Sequence, residues 1–267
     1  MSLGRTFSLS TALCTLALVA LPAQAVPTYA PGSRRYHLMS VITRDQEQDG
    51  QHSKFAITNE QVVTVTIAAH AKDTLDFSYT MDSSSVAADP PVTLPDISGM
   101  KGTEVRGVMS PSGKVYTFTS SAQQNDPDMQ NLVAGMTRFL VTLPRRPRVG
   151  STWADTTRND QDANGAHLDL KTVTTSTILG DTTFHGQHAW RVHRAAELSI
   201  TGTQSALDRD LTVDGHGNGE GDYYISREGV YLGSNANQMM KMNVTEKASG
   251  KTIPVTQTVT SKVELLP

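Results

Sequence analysis

The chain holds 267 residues, with 23 Lys+Arg against 26 Asp+Glu, a hydrophobic share of 37% and an aromatic share of 6%. That length suits one large or two modest domains, and a formal charge of −3 provides no basic field for a phosphate backbone, so nucleic-acid binding is set aside. Gly 20 and Pro 12 do not make a collagenous or low-complexity chain, and the apolar share can supply a core.

Residues 1–25 read as a cleaved signal peptide. Arg5 is followed by a mostly apolar run from Leu13 to Leu21, and Ala23-Gln24-Ala25 puts small residues at −3 and −1 of a cleavage site. The run is well short of the ~20 residues that span a bilayer, so no transmembrane segment is expected in the mature chain. The expected location is the periplasm or the cell exterior. Cys14 is the chain's one cysteine and lies inside the signal after Leu13, a setting that does not suit lipid attachment. The mature chain then lacks disulfides, Cys-ligated zinc and thiol nucleophiles.

Beyond a short linker over 26–32, alternation of apolar and polar residues predicts half-buried antiparallel strands. In the first β unit, 33–120, Leu75, Phe77, Tyr79 and Met81 alternate with Asp76, Ser78, Thr80 and Asp82. Turn residues punctuate the runs at Asp49-Gly50 and Ser110-Pro111-Ser112-Gly113. Between the units, 121–149 is expected to hold one short helix and a Pro-rich connector. Asp126 would cap the helix, Pro127 would open it, and Met129, Leu132, Val133 and Met136 would form its apolar stripe up to Arg138. Arg145, Arg146 and Arg148 in the connector read as a solvated basic knot.

The second β unit, 150–267, repeats the alternation. Trp190, Val192, Ala196, Leu198 and Ile200 share one parity, as do Ile253, Val255, Val259, Val263 and Leu265. Turns are expected at Asn164-Gly165, Arg227-Glu228-Gly229 and Ser249-Gly250. Landmarks recur at an offset of 115 or 116: the turn at Gly50 matches Gly165, and Ser110, Gly113 and Tyr116 match Ser226, Gly229 and Tyr231. The expected fold is all-β, with two pseudo-repeated antiparallel units in a large curved sheet or half-barrel.

Asp214-Gly215-His216-Gly217-Asn218-Gly219-Glu220-Gly221-Asp222 is the most unusual segment. It does not fit an EF-hand, because His216 stands at position 3 and Ile225 at position 12. Period two instead puts Gly215, Gly217, Gly219 and Gly221 on one side of a strand, where a bare face lets a neighbour or ligand approach the backbone. These four glycines are the candidate ligand-binding residues.

No metal, cofactor or catalytic set is expected. His185, His188 and His193 cannot converge on a strand without a bulge, and solvated side chains are their natural reading. Ser98-Gly99-Met100-Lys101 lacks the companion motifs of a Ser-x-x-Lys enzyme, and Gly250-Lys251-Thr252 lacks the first glycine of a phosphate loop. Asp155, Asp160, Asp162, Asp208 and Asp210 crowd near turns, where Asp bonds its own backbone.

The signal, the Thr-rich strands, the join into Val149-Gly150-Ser151-Thr152-Trp153, the Gly180-Asp181-Thr182-Thr183 turn and the Thr252-Ile253-Pro254-Val255 ending resemble an uncharacterised family of exported bacterial β-rich proteins, a domain of unknown function. The resemblance carries no established activity. In architecture, a large curved sheet with a helix is similar to the half-barrel of periplasmic lipoprotein carriers. The expected function is non-enzymatic binding of a lipid, another apolar or amphipathic ligand, or an envelope protein partner. Alternatives are a hydrolase whose carboxylates or histidines meet on folding, and a structural envelope protein without a ligand.

Overall fold

The computed structural model describes residues 28–48, 50–71, 73–91, 100–121, 139–144, 146–163, 166–206 and 209–267. The signal with Cys14, the predicted helix from Asp126 to Arg138, and the Asn164-Gly165 turn lie outside them. Among the described residues there is no α-helix, and none forms a helix long and apolar enough to cross a membrane.

Eleven strands form one sheet: β1 (Gly32–Gln48), β2 (Gln51–Ala71), β3 (Thr74–Asp89), β4 (Glu104–Met109), β5 (Val115–Ser120), β6 (Thr152–Ala163), β7 (Ala166–Phe184), β8 (Gln187–Ala206), β9 (Arg209–Ser226), β10 (Tyr231–Glu246) and β11 (Thr252–Leu265). Their spatial order is β5-β4-β3-β2-β1-β11-β10-β9-β8-β7-β6. Every neighbouring pair is antiparallel, and sheet neighbours are sequence neighbours except where β1 meets β11. That pairing runs from Tyr36 opposite Leu265 to Gln46 opposite Val255. It joins the first and last strands mid-sheet, while β5 and β6 remain as edges, so the sheet does not close into a barrel.

Register assigns the faces. Tyr36 pairs with Val63, Val63 with Met81, and Tyr79 with Val105, so the apolar parity of each strand falls on one core face. The rows read from sequence around Tyr79, Val192 and Val263 all lie there. At one end of the strands this face is closed: Val63, Met81, Val105, Ile178, Val192 and Ile225 are fully buried. The chain between β5 and β6 seals it. Phe139 packs at 5.1 Å from Tyr36, 5.4 Å from Tyr79 and 5.3 Å from Tyr231, all close to edge-to-face. Tyr29 donates its hydroxyl to the Val141 carbonyl at 2.9 Å, and burial raises its pKa far above the ordinary phenol value.

Two turns at this end share one construction. Ser110 Oγ accepts from the Lys114 amide at 3.0 Å, and Ser226 Oγ accepts from the Glu228 and Val230 amides at 3.1 and 3.2 Å. The stretch ahead of β1 links them, with the Tyr29 amide donating to the Pro111 carbonyl and the Ala30 amide to the Gly229 carbonyl. Ser226 is buried, so removing its oxygen strands two amides in a poorly hydrated place. Ser226→Ala is expected to lower the unfolding free energy by about 1–3 kcal/mol in urea titration. An unchanged midpoint would show that these amides find other partners.

Candidate functional site

The β9 glycines lie on the core face, level with Tyr223 and Ile225 but beyond the sealed end. Gly215 stands between Ile200 and Met242, Gly217 between Leu198 and Met240, Gly219 between Ala196 and Gln238, and Gly221 between Arg194 and Ala236. Strand β10 crowds three of the four. A methyl group at Gly217 would sit 2.2 Å from the Met239 carbonyl oxygen, one at Gly215 would sit 2.6 Å from Met242 Cγ, and one at Gly221 would sit 2.6 Å from Ala236 Cβ. At Gly219 the nearest atom would be the Asn237 carbonyl oxygen at 3.1 Å. A sequence-level reading could find the one-sided glycines but not this crowding, because period two is silent on the distance to the next strand.

A cavity of about 200 Å³ opens over Gly219 and Gly221, with Thr174, Arg194, Ala196, Tyr223, Gln238 and Val259 among its lining. Leu198, Ile200, Met240, Met242 and Val255 continue the same face along the strands. A wider hollow of about 620 Å³ lies on the outer face, with Val173, Glu197, Asn218, Glu220 and Met239 among its lining. The core-face cavity, unlike the outer hollow, runs on into the apolar row of Leu198, Ile200, Met240 and Met242.

Away from the strand ends, two cations occupy the core face. Arg194 lays its guanidinium 5.1 Å from the centre of the Tyr223 ring, and its buried Nε has no hydrogen-bond partner. Arg44 sends Nε and Nη2 to the Gln257 side-chain oxygen at 3.3 and 2.8 Å and lies 5.5 Å from the Phe55 ring centre. Burial lowers the Arg44 pKa from its ordinary value.

The outer face gathers a different cluster. Arg191 Nη2 donates to Asp222 Oδ2 at 2.8 Å, and His193 Nδ1 meets Asp222 Oδ1 at 3.1 Å. Partial burial works to raise the Asp222 pKa, but the Arg191 and His193 hydrogen bonds outweigh it and hold the carboxyl below its ordinary value. The hydrogen bonds run among these three residues, an ion-pair arrangement on a half-exposed sheet surface. Sequence reading missed Asp222 as a partner, although its parity opposite the glycines places it on the histidine's face.

The remaining candidates stay apart. His185 pairs with Glu264 at 3.1 Å, His188 is exposed, and no group of three His, Cys, Asp or Glu among the described residues could hold a metal. Asp155 and Asp160 are exposed on edge strand β6, and Asp210 accepts from Ser205 at 2.7 Å beside the β8–β9 turn. Asp208, the Asp162 side chain, Arg145 and Ser98-Gly99 lie outside the described residues. Arg146 and Arg148 are exposed, and Gly250 takes the tight β10–β11 turn at φ +69°.

No protein-family model matches the chain, and no curated protein does. Two solved structures are similar to it at low identity. One, from Vibrio parahaemolyticus, is described as an outer membrane lipoprotein-sorting protein domain; it is 10% identical, with 86% of this chain and 83% of that one covered, at a TM-score of 0.17. The other is a DUF1329 family protein from Desulfovibrio piger ATCC 29098, 9% identical over 88% of this chain and 84% of that one, at a TM-score of 0.18.

Proposed function

We propose that the protein is exported to the periplasm or cell exterior and binds an apolar or amphipathic ligand, without catalysis, on the core face of its sheet. The observation that carries this reading is the core face beyond its sealed end, where a cavity floored by Gly219 and Gly221 continues along the strands into Leu198, Ile200, Met240 and Met242. A structural protein would have no use for a hollow there, because burying that surface would stabilise it by about 25 cal/mol per Å². The glycine strip serves as the floor on which the ligand lies against backbone.

Glycines also support a curved sheet. Methyl groups at Gly107, Gly202 and Gly217 would meet carbonyl oxygens of neighbouring strands at 2.1, 2.0 and 2.2 Å, and strands that crowd together on one face bend the sheet toward it. The curve then descends from a duplicated unit, 33–120 and 150–267. Matching serine turns at Ser110 and Ser226 support the duplication.

Native mass spectrometry of the full chain expressed with its own export signal and purified without detergent tests the reading. A co-purifying lipid or other amphiphile is the expected result. Protein that is empty, and that takes up no neutral apolar dye such as N-phenylnaphthylamine, would overturn it.

A further inference from the structure

Between their ends, the core-face positions of β7 through β11, β1 and β2 carry Arg194 and Arg44 and no Asp or Glu; the acids of that parity lie near strand ends, where Asp181 accepts from Arg227 and Glu246 pairs with Arg209. The same strands carry Asp45, Glu47, Glu60, Asp169, Glu197, Asp214, Glu220, Asp222 and Glu264 on the outer face. A chain with more acidic than basic residues thus withholds its carboxylates from the middle of one face and leaves two arginines there. Solubility does not require this, since a cation among apolar rows loses hydration without a countercharge.

Arg194 is the sharper case. It interrupts the row Trp190, Val192, Ala196, Leu198, Ile200 and lines the cavity over Gly219 and Gly221. Stacking on Tyr223 fixes its plane, and its Nε–H has no acceptor among the described residues. A guanidinium presents five donors in a planar fork that matches a carboxylate in a two-bond pairing. Arg44 differs because Gln257 already accepts from two of its nitrogens.

We infer that the ligand is a long-chain carboxylate, with its head on Arg194 in the cavity and its chain along Leu198, Ile200, Met240 and Met242. This rests on the proposed reading of the core face. It adds the charge and the anchoring residue.

The test is displacement of N-phenylnaphthylamine from the delipidated full chain by decanoate and by decan-1-ol, which share a ten-carbon chain and differ in head. The native protein is expected to bind decanoate about tenfold tighter than decanol, the discrimination of one charge-assisted pairing. Arg194→Met should bring the two within about twofold, with a native far-UV circular dichroism spectrum and urea midpoint reporting that the variant is folded. Arg194→Lys should restore part of the preference, and Arg44→Met should change it by less than about threefold. Equal binding of decanoate and decanol by native protein, or a preference that survives Arg194→Met, would overturn the inference and leave the binding face intact. Failure of the dye and both ligands to bind would remove the binding face itself.

Discussion

Replacing Phe139, a partly buried ring packed on the core, with alanine is expected to lower the unfolding free energy by about 2–4 kcal/mol, somewhat under the range for a fully buried aromatic. The ring touches Tyr36 of β1, Tyr79 of β3 and Tyr231 of β10. It thereby ties the connector to both halves of the sheet across the β1–β11 junction. Each near edge-to-face pair adds about 0.5–1.5 kcal/mol beyond the buried area, so the loss exceeds that of an isolated ring. The released space is bordered by Tyr36 and Tyr231, both buried, with the Tyr36 hydroxyl donating to the Tyr231 carbonyl at 2.9 Å. That bond resists collapse into the hole. Urea denaturation followed by circular dichroism measures the effect; a loss under about 1 kcal/mol would show that the connector is not part of the core.

The second large effect is a contrast within one strand. Gly217→Ala forces a methyl to within 2.2 Å of the Met239 carbonyl oxygen, so β9 and β10 must separate, at a cost of about 1–3 kcal/mol or more. Gly219→Ala meets nothing nearer than 3.1 Å, and the alanine also restricts the unfolded chain, which offsets the mild crowding to within about 1 kcal/mol. Its methyl, however, enters the proposed ligand floor. Gly219→Ala should therefore keep the native urea midpoint and weaken N-phenylnaphthylamine binding, whereas Gly217→Ala should lose stability first. Equal stability losses would show that the uneven crowding along the glycine strip is not real.

The alternation around Phe77, Val192 and Val259 was enough to predict antiparallel strands and the face each residue would take, because a pleated backbone allows no other placement. The glycine strip was legible for the same reason. The β1–β11 pairing was not, since it brings residues such as Tyr36 and Leu265 together through contacts that no local pattern records. It makes the two predicted units share one continuous sheet. The His193–Asp222 pair depended equally on hairpin register across β8 and β9. Arg194 left a visible trace as a charged residue at an apolar parity, yet its want of a countercharge required the register of every neighbouring strand.

Methionine methyl resonances offer the most direct test of ligand binding on the core face. Met239 is exposed and faces outward, whereas Met240, the next residue, is buried on the core face beside Gly217, and Met242 shares that face. On titration of the labelled, delipidated chain with decanoate, the Met240 and Met242 methyls are predicted to shift progressively while Met239 holds still. Movement of Met239 with Met240 and Met242 stationary, or no movement of any of the three up to the solubility of decanoate, would contradict the account.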